Sequence, residues 1–137
     1  MSALTNYTEN KLIDHMFRTG TFAKPTTLYI GLATAVADTE AGTLTEVTGG
    51  SYARIARNPL DTNWDAPVAN NGTTANTASI QFPTATVDWG TITHFFTADA
   101  ISGGNILMIS PLTNGRTITN GTTPSFGSGA LTFQIDN

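Results

Sequence analysis

The chain contains no cysteine, which excludes disulfide bonds, thiolate nucleophiles and zinc sites with cysteine ligands. Charged residues are also scarce, because they make up 12% of the chain, about half of the roughly 25% that is typical of globular domains. The net charge is −4 and no cluster of lysine or arginine is present, so we expect no nucleic-acid partner. No apolar run approaches the roughly 20 residues of a membrane-spanning helix. The N-terminus lacks the basic and apolar regions of a signal peptide, and we expect no membrane partner.

What remains is the composition of a folded β protein. Hydrophobic residues make up 39% of the 137 residues, and a chain near 150 residues buries roughly 70% of its unfolded surface. Threonine is abundant, and its β-branched side chain suits the solvent face of a strand. We expect an N-terminal arm and helix over residues 1–25 and a single β-domain over residues 26–137.

One helix is predicted, over residues 8–18. Leu12, Ile13, Met16 and Phe17 recur at helical spacing and form one apolar stripe, and Asn6 or Thr8 is the expected N-cap residue. A helix of about 11 residues is marginal alone in water. We therefore expect it to dock on another surface.

The rest of the chain has the period-2 alternation and the turn signals of short β-strands. Gly31 within the strand at 27–33 indicates a close backbone approach or a bulge. Residues 102–104 predict a hairpin turn, and Asn114-Gly115 predicts another turn. About seven or eight strands predict an antiparallel β-sandwich of the jelly-roll type, although an immunoglobulin-like sandwich would give a similar pattern. The residues expected to be buried are Leu28, Ile30, Leu32, Ile80, Phe82, Ile92, Phe96, Leu107, Leu131, Phe133 and Ile135.

No catalytic, cofactor-binding or metal-binding residue is predicted, and we expect no cofactor and no enzymatic activity. His94 falls in phase with Ile92 and Phe96, so its side chain is expected to point toward the interior as a hydrogen-bonded residue, while His15 is expected to be solvated. A metal site needs several convergent ligands, and no such spacing is present.

Two pairs of carboxylates are the remaining candidates for chemistry. Asp61 and Asp65 flank Trp64, and Asp88 and Asp99 form a second pair. Paired acids hydrolyse glycosides when they face each other across a cleft. For the first pair, the favoured interpretation is a turn in which Asp61 and Asn63 satisfy local backbone amides.

Four segments, taken in order, resemble a family of small tailed-phage virion proteins, variously described as head decoration, cement or tail-fibre-like proteins. These segments are residues 27–32 (TLYIGL), 49–54 (GGSYAR), 82–95 (FPTATVDWGTITHF) and 102–107 (SGGNIL). The leading helix and the closing GALTF at 129–133 fit the same pattern.

The resemblance implies a capsid decoration (cement) protein that is made in the host cytoplasm and binds the outer capsid surface. Its implied partners are the major capsid protein and further copies of itself, as a homotrimer, because cyclic closure prevents open-ended assembly. The residues expected to contact the capsid or other copies are Leu4, Tyr7, Lys11, His15 and Arg18. The sequence is equally consistent with a helix that makes no contact with the capsid and only closes one end of the sandwich.

Two alternatives stand beside this hypothesis. A tail-associated receptor- or glycan-binding module would place aromatic rings such as Trp64 or Tyr52 on an exposed loop, where they could contact sugar. An enzyme such as a glycan hydrolase would need a cleft with paired acids.

Overall fold

The computed structural model describes residues 2–67 and 71–135. Residues 1, 136 and 137, which belong to the predicted arm and sandwich domain, lie outside the described residues. The elements of the described part are β1 (Ala3–Leu4), α1 (Asn6–Phe17), β2 (Tyr29–Asp38), β3 (Thr43–Glu46), β4 (Ile55–Ala56), β5 (Thr73–Ala75), β6 (Ile80–Gln81), β7 (Gly90–Ala98), β8 (Ile106–Ile118), β9 (Ser125–Phe126) and β10 (Thr132–Gln134).

Six strands form a central antiparallel sheet in the order β1-β8-β7-β2-β3, and β4 also pairs with β2. Two small antiparallel sheets, β5–β10 and β6–β9, lie apart from it. These sheets and the single short helix of the described residues confirm the predicted all-β fold. No helix in the described part is long and apolar enough to cross a membrane.

Both faces of the central sheet are partly buried. Successive residues of a strand point to opposite faces, and successive residues of β7 belong to two different hydrophobic clusters. Phe95 belongs to the larger cluster and Phe96 to the smaller one. We call the larger cluster the large core; its buried members are Ile30, Leu32, Val47, Ile80, Phe82, Ala85, Trp89, Ile92, Phe95, Ile118, Leu131 and Phe133.

Nine of the eleven residues predicted to be buried are buried, Leu28 is half-buried and Ile135 is not in the core. Ile135 continues the alternation of Leu131 and Phe133, but Ile135 is 58% exposed. The strand β10 ends at Gln134, and although the backbone N–H of Ile135 still binds the carbonyl of Gly72, the Ile135 side chain lies past the strand end and is exposed.

The close approach predicted at Gly31 is confirmed. A Cβ atom on Gly31 would overlap the ring of Phe96 on the neighbouring strand. The predicted hairpin turn at residues 102–104 is also confirmed, since Gly103 and Gly104 both have positive φ angles of 60° and 68° between β7 and β8. Glycine adopts this backbone conformation without steric cost.

The turn predicted at Asn114-Gly115 is wrong, because both residues lie within the single long strand β8. Ile92 pairs with Arg116, and the next pair along β7 is His94 with Pro111. Residues 112–115 of β8 therefore stand opposite Thr93 alone, as a bulge that we call the β8 bulge.

This irregularity also corrects the predicted phase of β7. Ile92 and Phe95 both belong to the large core, which strict alternation would not allow. His94 therefore does not share a face with Ile92, and it is half-buried rather than a core residue.

Candidate assembly surface

The helix α1 is anchored to the central sheet by its first turn. The hydroxyl of Thr5, the N-cap residue, donates to the carbonyl of Ile106 at 2.6 Å, and the hydroxyl of Thr8 donates to the carbonyl of Leu107 at 2.9 Å. The helix begins at Asn6 rather than at residue 8, so the N-cap position falls on Thr5 and not on either predicted residue; the Thr5 side chain makes no capping hydrogen bond and binds β8 instead. Thr8 is the one buried residue among the described helix positions.

Beyond this first turn, the apolar stripe of the helix is largely in contact with solvent. Ile13 is 54% exposed, Met16 69% and Phe17 77%, and Leu12 is half-buried. Positions i, i+3 and i+4 are neighbours on a helix surface, so Ile13, Met16 and Phe17 form one apolar surface, which we call the helix patch. These residues were recognised in the sequence as an apolar stripe but were not predicted as contact residues.

Three of the five predicted contact residues face a segment of their own chain. Tyr7 and Lys11 line a shallow cavity of about 330 Å³ together with residues 21–26, and the Lys11 ammonium lies 5.8 Å from the centre of the Tyr7 ring. The His15 Nδ1 atom accepts a hydrogen bond from the backbone N–H of Phe22 at 3.3 Å.

The other two predicted contact residues are separate from this group. Leu4 lies in β1 and pairs with Met108 of the central sheet. Arg18 forms an exposed ion pair with Asp14 at 2.9 Å at the end of the helix. The N-terminal arm is thus joined to the β-domain by backbone pairing, and its polar residues are used mostly within the chain.

Arg54 is the most buried charged residue of the described part, and its guanidinium binds groups of its own chain. Its guanidinium donates two hydrogen bonds of 2.7 Å to the carboxylate of Glu46 and two more to the carbonyls of Ala100 and Gly103. Hydrogen bonding to Glu46 raises the pKa of the Arg54 guanidinium above its ordinary value. The group lies 5.1 Å from the centre of the Phe96 ring.

Tyr52 completes this cluster and is not free to contact a ligand. Its hydroxyl donates to Glu46 and accepts from the backbone N–H of Leu32, both at 2.9 Å. Burial raises the pKa of the Tyr52 phenol, and its ring packs edge-to-face on Trp89.

Trp64, the second ring considered for sugar contact, is also packed. Its ring lies edge-to-face on Phe133 at a centroid distance of 5.8 Å, and its indole N–H donates to the carbonyl of Asn58. Neither predicted aromatic residue forms an exposed platform.

Asp88 and Asp99, one of the two carboxylate pairs that were considered for chemistry, are bound to turns. Asp88 accepts a hydrogen bond from the backbone N–H of Asn120 at 2.8 Å. Asp99 accepts from both the backbone and the side-chain amide of Asn105 at 2.7 Å. Among residues 2–67 and 71–135, no group of three or more histidine, aspartate or glutamate side chains is placed to hold a metal ion.

Comparison with known proteins gives one family. The model of the family described as "Podophage GP4 fiber I protein gp80" matches residues 3–134. No curated protein matches the chain.

Proposed function

This chain belongs to the podophage GP4 fiber I protein gp80 family, a family of phage fibre-type virion proteins, and we propose that in the virion it is a structural subunit without enzymatic activity. The virion role rests on a match that spans nearly the whole chain. The proposal of a purely structural role is supported by the local, turn-forming hydrogen bonds of Asp88 and Asp99.

The observation that carries this proposal is the helix patch. Fully burying an apolar side chain of this size is worth about 1.5–3 kcal/mol relative to leaving it exposed. Here three such side chains are adjacent on a helix whose hydrogen bonds to the central sheet come from its first turn. Single exposed apolar residues are common, but a contiguous group of them indicates an interaction site. The helix patch is therefore the surface through which the subunit attaches to another virion protein.

The family description names a fibre, which favours a position on the tail. A second candidate is the capsid decoration protein on the outer capsid surface, with the major capsid protein as its partner. The architecture supports this second candidate, because α1 has 12 residues and no long helix or repeated strand unit of the described part could form an extended shaft.

Electron cryo-microscopy of virions that carry this protein, with Fab fragments raised against it, tests the location. Fab density on the tail fibres would support the first candidate, and Fab density over the head surface would support decoration. If the protein is absent from purified virions, the structural proposal is wrong.

We also propose that copies of the chain associate as a closed trimer, since cyclic symmetry limits growth of the assembly. Native mass spectrometry of the purified protein is the measurement. The trimer predicts a species of three 14.4 kDa chains, and a monomer at all concentrations would contradict it.

A further inference from the structure

A groove of about 640 Å³ opens on the side of the central sheet that carries the large core, and its volume is in the range of small-molecule sites. Its lining comes from β7 and β8 and from the segments 122–127 and 130–134. Phe95 and Ile92 of the large core lie at its base, and the β8 bulge contributes Leu112, Thr113 and Asn114. Bulges commonly re-aim side chains beside functional sites.

One residue at the base of the groove has a hydroxyl that no described residue binds. Ser110 pairs with Phe95 across the strands, is 5% exposed and lines the groove. Within residues 2–67 and 71–135 its hydroxyl makes no hydrogen bond, and it is not among the buried polar atoms that lack a partner, so the hydroxyl itself is open to the groove. A hydroxyl that opens into a groove is hydrated in the free protein and can exchange that water for a polar group of a ligand.

The charge of the groove is opposite to that of the molecule. The chain has a net charge of −4, yet the lining contains no aspartate or glutamate and one charged residue, Arg116. The Arg116 guanidinium is exposed, and it forms no ion pair or hydrogen bond with any described residue. A free guanidinium is suited to bidentate binding of a carboxylate.

The remaining lining alternates apolar surfaces with hydroxyl and amide groups. Pro111, Pro124 and the half-buried ring of Phe126 provide the apolar surfaces, and Thr132 and Asn114 are among the polar groups. A sugar ring has the matching chemistry, because it presents C–H groups on one face and hydroxyls at its edge. An extended peptide would instead pair with a free sheet edge, whereas this groove lies over a sheet face.

We infer that this groove binds an acidic saccharide, with Arg116 holding the carboxylate of the sugar and Ser110 one of its hydroxyls. The inference depends on the groove alone and not on where in the virion the subunit lies.

Isothermal titration calorimetry of the full chain with three matched pairs of sugars tests this inference. The pairs are trigalacturonate with galactotriose, a mannuronate trisaccharide with mannotriose, and sialyllactose with lactose. We expect the acidic member of at least one pair to bind roughly ten-fold or more tightly than its neutral counterpart, the factor that a charge-assisted hydrogen bond supplies.

Variants locate the binding site. Arg116→Gln should abolish the preference for the acidic sugar, and Ser110→Ala should weaken binding of both members of the pair. Ala130→Trp, at an exposed position of the lining, should block the groove. Lys24→Gln makes the same charge change at an exposed residue outside the lining and should leave binding unchanged.

The inference is overturned if none of the three acidic sugars binds at millimolar concentration, or if binding persists unchanged in Arg116→Gln. Should Ala130→Trp fail to fold, as judged by its thermal midpoint, the Arg116 variant still decides the question. These results are independent of the Fab experiment, so the saccharide site and the virion role can fail separately.

Discussion

At the scale of single residues, the buried Arg54 side chain connects three separate parts of the chain. It binds Glu46 of β3 and the carbonyls of Ala100 and Gly103 in the turn between β7 and β8. No sequence pattern predicts this role, because Arg54 is one of six lysine and arginine residues that form no cluster. Its environment depends on which strands are neighbours in the central sheet.

Replacing Arg54 with methionine should strongly destabilise the protein. The change leaves the Glu46 carboxylate partly buried without its cation, and breaking a buried pair in this way costs about 3–5 kcal/mol. Urea denaturation measures the loss in the free energy of unfolding. Arg18→Gln, which breaks the exposed pair with Asp14, is the control and should cost at most about 1 kcal/mol; equal effects of the two variants would contradict the structural role of Arg54.

His94 should make stability depend on pH. Burial lowers the pKa of its imidazole below the ordinary value of 6.5, so between these two pKa values the unfolded chain binds a proton that the folded chain does not. The free energy of unfolding should therefore fall as the pH decreases from about 7 through 6.5 toward the folded-state pKa. Urea denaturation at several pH values should show a smaller decrease for His94→Gln than for the wild type, and identical pH profiles would show that His94 is not responsible.

At the scale of elements, the ends and irregularities of strands decide which side chains are buried. Alternation in residues 131–135 correctly predicts that Leu131 and Phe133 are buried, but the strand β10 ends at Gln134 and the Ile135 side chain is exposed. In β8, Asn114-Gly115 has the composition of a hairpin turn, yet it forms a bulge within one strand. An Asn-Gly pair in the sequence therefore indicates that regular strand pairing is interrupted, but it does not show whether the chain reverses direction at that point.

Truncation at two positions of this C-terminal segment tests the strand assignment. Phe133 is 4% exposed and its ring packs on Phe95 at a centroid distance of 5.2 Å, so Phe133→Ala should cost about 3–5 kcal/mol. Ile135→Ala, two residues away but exposed, should change the free energy of unfolding by less than about 0.5 kcal/mol. A loss under about 1 kcal/mol for Phe133→Ala would show that the strand face is wrong.

At the scale of the whole molecule, the β-domain and the helix patch have separable roles. Deleting residues 1–18 would also remove β1 and the hydrogen bonds of Thr5 and Thr8 to β8, so loss of virion binding by such a deletion could reflect unfolding. Substitutions confined to exposed side chains avoid this ambiguity.

The triple variant Ile13→Ser, Met16→Ser, Phe17→Ser should fold with nearly the wild-type thermal midpoint, because these side chains are exposed. We expect it to be excluded from virions, since their apolar contact with the partner is lost. Western blots of virions purified from infections supplied with each variant measure incorporation. Ile101→Ser, an equally exposed apolar residue in the turn between β7 and β8, should be incorporated normally; normal incorporation of the triple variant would remove the helix patch from the proposal.

The sequence by itself determined the fold class, the N-terminal helix and most of the core. These properties follow from local and nearly local patterns: period-2 alternation for Leu28, Ile30 and Leu32, helical spacing for Leu12 and Met16, and glycines at the hairpin turn. Such patterns are sufficient because each strand or helix must bury its own apolar face.

Only the tertiary structure decided which apolar faces found a partner. The apolar stripe of α1 has the same sequence pattern whether another surface covers it or solvent contacts it. In the folded chain, the hydrogen bonds of Thr5 and Thr8 orient the helix so that Ile13 and Phe17 remain in solvent. The groove likewise depends on the pairing of Ser110 with Phe95 and on the offset that the β8 bulge introduces before Arg116. These arrangements are set by the register between distant strands, and no local spacing encodes that register when one strand is bulged.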